Sequence, residues 1–141
     1  KDPFANPVGA TMKTGISELF DVVAADSFDA KAAHDALEPM IRVRAIQELS
    51  PSAALGFITE IKAIIRRDIG GELQTHPQAE ALVRIAEHAD QALLAAFDIY
   101  MNCKKQVYNL RARQARDSVS QLLIKKGLIS ELPDADPALS E

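Results

Sequence analysis

From Gln78 to Lys126 the chain contains neither glycine nor proline. Those two residues are the strongest breaks a sequence can write, so this stretch must form one long helix, or two joined by a bend. Within it Leu82, Ala86, Ala89, Leu93, Ala96, Tyr100, Cys103, Val107 and Leu110 fall at alternating steps of four and three. That spacing is the seam of a coiled coil or an antiparallel bundle. Past Leu110 the register meets Gln114 and Asp117 and fails, while Ala115, Val119, Leu122 and Leu123 form a displaced stripe. A bend or a change of packing partner is therefore expected near Arg111. Lys125-Lys126-Gly127 suits a helix C-terminus, with cations at the negative end of the dipole and a glycine free to take positive φ.

Shorter helices are expected before it. Thr11 can cap a first helix carrying Ile16, Leu19, Phe20 and Val23, and Ser27 or Asp29 can open a second, which Pro39 then restarts or kinks. Ser50-Pro51 marks a third start, since serine accepts from orphan backbone N–H groups and proline tolerates the first helical position. From there Ala54, Phe57, Ile58, Ile61, Ile64, Ile65 and Ile69 recur at helical spacing until Gly70-Gly71 ends the run. With 48% hydrophobic, 26% charged and only 5% aromatic residues, the composition fits a folded all-α protein. The expected organisation is a single helical domain over residues 1–129 with a long C-terminal helical segment, followed by an acidic tail, 130–141, expected to be disordered.

LEPMIRVRAIQELSPS, residues 37–52, alternates apolar and charged residues at its centre as a strand would. Pro39 before the alternation, Ser50-Pro51 after it and no turn signal between them favour helix. Placed at about 100° per residue, Ile41, Ala45, Ile46 and Leu49 share one side with Arg42 in their midst, and Arg44 lies with Gln47 and Glu48 opposite. An arginine in an apolar surface requires a partner, because burial unpaired costs several kcal/mol. Glu38, one turn earlier, is the candidate ion-pair partner, and an internal or interface pair stands beside an anion-binding role for Arg42.

Three blocks carry a family resemblance: KDPFANPVG at the start, LEPMIRVRAIQELSPSAALGFITEIKAII in the middle and FDIYMNCKKQVYNLRARQARD near the end. Together they resemble the N-terminal domain of RsbRD-type RsbT co-antagonist proteins. In the last block Asp98, Tyr100, Cys103, Lys104 and Arg111 occupy the family's pattern of an acidic residue, a tyrosine, a cysteine, basic residues and a closing Leu-Arg. The resemblance implies a helical, non-haem, globin-like sensor domain that forms dimers, its last long helix leading to whatever follows. In bacterial stressosome proteins such a domain precedes a STAS domain whose phosphorylation controls release of a switch kinase. No STAS sequence follows residue 129 here, so either an excised sensor or a stand-alone relative fits, and the co-antagonist activity is not carried over.

Side chains able to do chemistry are few. His34, His76 and His88 are scattered, with no pair four apart and no HExxH, which leaves a metal-dependent hydrolase unsupported. His88 is the one histidine well inside a long helix, yet Glu87 and Asp90 beside it suggest a solvated position rather than a haem ligand. Cys103, the single cysteine, excludes an internal disulfide and a cysteine-cluster zinc site; it reads as a small buried thiol, with Lys104 and Lys105 beside it leaving a redox role open. Phosphate loops, nucleophile elbows and paired carboxylates are absent from the sequence. The expectation is a non-enzyme with no cofactor and no metal.

Lys104, Lys105, Arg111, Arg113, Arg116, Lys125 and Lys126 stand against only Asp117 between residues 104 and 126, a locally basic face. A net charge of −4 and few aromatics weigh against nucleic acid and favour a solvated face or an acidic protein partner. No apolar run reaches bilayer length and KDPFANPVG lacks the features of a leader, so a cytoplasmic protein without membrane insertion is expected. Because Lys1 is not methionine, an earlier leader stays open. Two readings result. One is a sensory domain that homodimerises through its first and last helices and relays a signal to a protein partner, with a ligand pocket near Arg42, Phe57 and Tyr100. The other is a structural adaptor without a small ligand that binds an acidic partner through Lys104, Lys105, Arg111, Arg113 and Arg116.

Overall fold

Helix boundaries in this chain follow local capping chemistry. The computed structural model describes residues 7–47, 49–69 and 78–129, and among them all regular structure is helical: α1 (Pro7–Ala24), α2 (Ala30–Ile46), α3 (Pro51–Ile69) and α4 (Ala79–Lys125). Gly70-Gly71, His76-Pro77, Pro3 and the acidic tail lie outside the described residues. An all-α fold with a long C-terminal helix is thus the architecture, and α4 is a single helix from Ala79 to Lys125.

Thr11 is not the cap of α1, which already includes Pro7; the Thr11 hydroxyl instead donates back to the Pro7 carbonyl at 3.0 Å. Asp29 caps α2, its carboxylate accepting from Lys31 and Ala32 N–H at 2.9 and 3.0 Å. Pro39 sits inside α2 without ending it. Proline removes one intrahelical donor, and its own exposed position places that loss on the side facing water. At α3, Ser50 Oγ accepts from Ala53 N–H at 3.3 Å and Pro51 is the first helical residue. Gly127, at φ 70°, closes α4: its N–H donates to the Ile124 carbonyl at 2.9 Å and Leu128 N–H to the Leu123 carbonyl at 3.0 Å. This is the paired hydrogen bonding of a Schellman motif, which only a residue comfortable at positive φ completes.

By residue contacts the chain divides after Cys103, where a single domain over 1–129 is the sequence expectation. In the first unit, α1, α2, α3 and the α4 segment up to Cys103 enclose one core. Leu19, Val23, Leu37, Met40, Ile41 and Ile58 are its largest fully buried side chains, each contributing about 1.5–3 kcal/mol relative to exposure. The α4 face adds Ala92, Ala96, Ile99, Tyr100 and Cys103, so alanines bring that helix close where leucine would hold it away. Of the expected α4 seam, Ala89, Ala96, Tyr100 and Cys103 are buried, Leu82, Ala86, Leu93 and Val107 half-buried, and Leu110 exposed. The second unit begins at Lys104 and contains the remainder of α4.

A candidate functional site at the α2–α3 corner

Residue 44, seven after Leu37, four after Met40 and three after Ile41, follows three fully buried positions of α2. Helical geometry therefore puts Arg44, and not Arg42, on the core-facing side. The arc that favoured Arg42 leaned on Ile46, which is 61% exposed, and on Leu49, which lies beyond the end of α2. Removing those two and including Ala33, Ala36, Leu37 and Met40 turns the buried face by about 100°, one residue's rotation. The consequence is an exchange of roles. Arg42 has a 60% exposed side chain and pairs with Glu38 one turn earlier, a surface ion pair of little energetic weight.

Arg44 is half-buried, donates from an Nη to the Ala53 carbonyl at 2.9 Å, and holds its guanidinium carbon 5.4 Å from the Phe57 ring centroid. Its Nε–H is buried with no hydrogen-bond partner among the described residues. The cation thus crosses from α2 to the first turns of α3, held by a charge-assisted hydrogen bond and the ring's negative face. From α4, the buried Tyr100 donates its hydroxyl to the Leu49 carbonyl at 2.6 Å, inside the α2–α3 connection. Phe57 and Tyr100, two of the three residues expected to line a pocket, therefore border the same corner, and Arg42 does not join them. Arg44 stands there instead.

A second corner is tied by the same helix. His88 is buried at 6% exposure, where its neighbours in sequence suggest solvent; Nδ1 lies 3.1 Å from the Val23 carbonyl and the ring sits 5.6 Å from Phe28. Glu87 and Asp90 are exposed on other faces of α4, so sequence adjacency misled where helical phase would not. One turn before, Arg84 pairs with Asp26 at 3.1 Å. Arg84, His88, Ala92, Ala96 and Tyr100 form a single ridge at four-residue steps. Its polar ends hold the α1–α2 and α2–α3 connections and its alanines pack between them.

Two surface features complete the first unit. A groove of about 360 Å³ between α3 and α4 is lined by Pro51, Ser52, Leu55, Gly56, Thr59, Leu93, Leu94 and Phe97. Its hydroxyls are engaged locally, Thr59 with the Gly56 carbonyl at 2.6 Å and Ser52 with Ser50 at 3.1 Å, so what the groove offers is apolar. Farther along, Lys62 bridges α3 to Asp90 of α4 at 2.7 Å, at the edge of a smaller depression of about 220 Å³. On the exposed face of α2, a hydrogen bond from Lys31 lowers the Asp35 carboxyl pKa and raises that of the lysine itself.

Cys103 is a free, buried thiol at the last position of the first unit. Lys104, Lys105, Arg111, Arg113 and Arg116 belong to the second unit, where Lys104 and Arg116 are half-buried and the other three exposed. Among the described residues no three His, Cys, Asp or Glu side chains gather as a metal site would require, and no helix is long and apolar enough to cross a membrane. The arrangement is one of positioning, in which polar side chains fix helix connections to one another.

No curated protein and no solved structure matches the chain. The family model described as the RsbT co-antagonist protein rsbRD N-terminal domain matches residues 1–115, which include the whole first unit and its two corners. The chain belongs to that family of regulatory domains.

Proposed function

We propose that this chain is a non-catalytic sensory domain of a bacterial stress-signalling protein, of stressosome type, that works as a cytoplasmic homodimer and relays its signal to a protein partner along α4. A non-haem, globin-like use of the helical fold belongs to this reading. The observation that carries it is the ridge Arg84, His88, Tyr100, through which one helix senses both helix connections of the first unit before running on to Lys125. A change at either connection has a direct mechanical route into α4, and packed helices transmit small shifts because interiors resist deformation. Family membership supplies the regulatory class. The α2–α3 corner, with Arg44, Phe57 and Tyr100, is where a small ligand would act most directly, since it holds a half-buried cation with an unused N–H.

The test is amide hydrogen exchange in residues 104–125 of the Tyr100→Phe chain against the unaltered one. Faster exchange there, at concentrations where both have the same oligomeric state, is expected of a relay. Exchange altered only around Leu49 and Tyr100 removes it.

A second reading is favoured by one observation, seven cations against Asp117 between Lys104 and Lys126. In it the chain is an adaptor that binds an acidic protein through this segment and takes no small ligand. Neutralising Lys104, Arg111, Arg113 and Arg116 together separates the two. Loss of partner capture with an unchanged response at the α2–α3 corner favours the adaptor.

A further inference from the structure

Ser120 is only 4% exposed, although it stands on the part of α4 that belongs to the second unit. A straight helix does not hide its own serine, and Val119 and Gln121 on either side of it are exposed. Counted at about 100° per residue, Lys105, Asn109, Arg113, Arg116 and Leu123 lie within roughly 60° of Ser120 and share its face. Asn109, Arg116 and Leu123 are half-buried, whereas Tyr108, Ala115 and Leu122 on another face are exposed. Lys105 and Arg113 are exposed too, as long side chains are when their charged ends reach past a covered stem to water. One face of this segment is therefore covered from Leu123 back to Asn109. Within the second unit, Lys104 to Glu141, the chain outside α4 is the chain that follows Lys125.

Direction, length and charge fit that chain to the face. The Schellman turn at Gly127 folds the backbone back on the helix end, Leu128 N–H donating to the Leu123 carbonyl, and Ile129 after it is half-buried. From Lys105 to Lys125 the helix measures about 30 Å, and residues 130–141, outside the described residues, can extend to about 40 Å. Pro133 and Pro137 keep that segment from continuing as helix. Its charged residues are Glu131, Asp134, Asp136 and Glu141, with no cation, while the covered face carries Lys105, Arg113 and Arg116. Asp117, the one acid between residues 104 and 126, stands at the edge of the face and meets Arg116 at 3.4 Å. Composition alone leads to disorder for so acidic a stretch, and an oppositely charged surface beside it supplies what it lacks.

We propose that residues 130–141 fold back along α4 and cover the face of Lys105, Arg113, Arg116, Ser120 and Leu123, setting the segment's carboxylates against those three cations. The occupant of the face is thus a segment of this chain. An acidic protein that uses the same cations binds by displacing it, which makes the segment an intramolecular competitor. The contact depends on neither reading of the function above.

The test is the rate at which a thiol reagent modifies the full chain carrying a single cysteine, with Cys103→Ala as the background. Ser120→Cys is expected to react at least about tenfold more slowly than Val119→Cys at the exposed neighbouring position. Glu131→Lys, Asp134→Lys and Asp136→Lys made together should bring the two rates together. Adding Lys105→Glu, Arg113→Glu and Arg116→Glu should then slow the cysteine at residue 120 again, with helicity by circular dichroism the same throughout. Fast modification at residue 120 with the native segment in place overturns the proposal. Slow modification that the lysine substitutions leave unchanged assigns the cover to other residues and overturns it equally. Acceleration that the exchanged charges do not reverse removes the pairing with these three cations.

Discussion

Gly15 and Gly56 both lie inside helices, and the space around them is opposite. A Cβ built on Gly15 would come within 2.7 Å of the Met40 side chain and 2.9 Å of the Ala36 carbonyl, so α1 and α2 touch at a distance only glycine permits. A Cβ on Gly56 meets nothing within 4 Å. A glycine inside a helix costs about 1 kcal/mol relative to alanine, so each needs a reason. At Gly15 the reason is the interior, a backbone carbonyl and a buried thioether that cannot both move. At Gly56 the interior supplies none, which turns attention to the outer surface, where the apolar groove lies. One seam is closed by the chain itself and the other is open.

The closed seam should fail most heavily. Leu37→Ala, at a fully buried position of α2, is expected to lower unfolding free energy by about 2–5 kcal/mol, the range for deleting a buried leucine. Denaturant unfolding measures it, and a loss under about 1 kcal/mol would mean that this core is loosely packed and that the contrast with α3–α4 is weaker than drawn. Next comes Gly15→Ala, expected to destabilise by about 1–3 kcal/mol through overpacking against Met40 and the Ala36 carbonyl. Its cost should shrink in a Met40→Ala background, because half of the obstruction is gone. A double-mutant cycle with no coupling would show that the carbonyl alone sets the distance between α1 and α2.

Smaller effects belong to the corners. Tyr100→Phe removes the hydroxyl that meets the Leu49 carbonyl at 2.6 Å and should cost about 0.5–1.5 kcal/mol, the net value of one hydrogen bond. Arg44→Met deletes both the hydrogen bond to Ala53 and the guanidinium over Phe57, with a similar expected loss, whereas Arg42→Ala should fall within about 0.5 kcal/mol because an exposed i,i+4 pair contributes little. Equal losses at residues 42 and 44 would restore Arg42 to the argument. The contrast between the two arginines is itself a measurement of which face of α2 is inside.

Much of this was legible in residue order; apart from Thr11, where α1 begins a turn earlier at Pro7, the failures have a common cause. Ser50-Pro51, Lys126-Gly127 and the choice of Ser27 or Asp29, of which Asp29 is the cap, announce helix ends because caps are local: one side chain and the few backbone groups beside it decide the outcome. The α4 seam through Tyr100 and Cys103 was readable because heptad spacing persists over many turns. Arg42 and His88 are the positions where residue order misleads, because a few neighbours do not fix the phase of a whole helix. Two residues at or beyond the end of α2, Ile46 and Leu49, are enough to turn its apparent apolar face by one position. For His88 the flanking acids point elsewhere, while Arg84, Ala92, Ala96 and Tyr100 at four-residue steps mark the ridge it belongs to. Phase over a whole helix carries the information that adjacency does not. The pairing of Tyr100 with Leu49 and of His88 with Val23 had no sequence signal, since both acceptors are backbone carbonyls.

Gly56→Ala is the one change expected to stabilise, and it bears most directly on the open seam. Alanine gains in helix propensity what glycine lacks, and here it meets no atom within 4 Å, so the isolated fold should become more stable by about 0.5–1 kcal/mol. Thermal unfolding at low protein concentration reads that gain. Gly56→Leu places a branched side chain into the groove of about 360 Å³ between α3 and α4 and should leave the isolated fold no less stable, because nothing there is displaced. If the homodimer proposed above buries this groove, the leucine variant should dissociate at higher concentration while the alanine variant changes little. Should Gly56→Ala instead destabilise the isolated chain, Gly56 is packed as Gly15 is, and the difference between the two seams disappears.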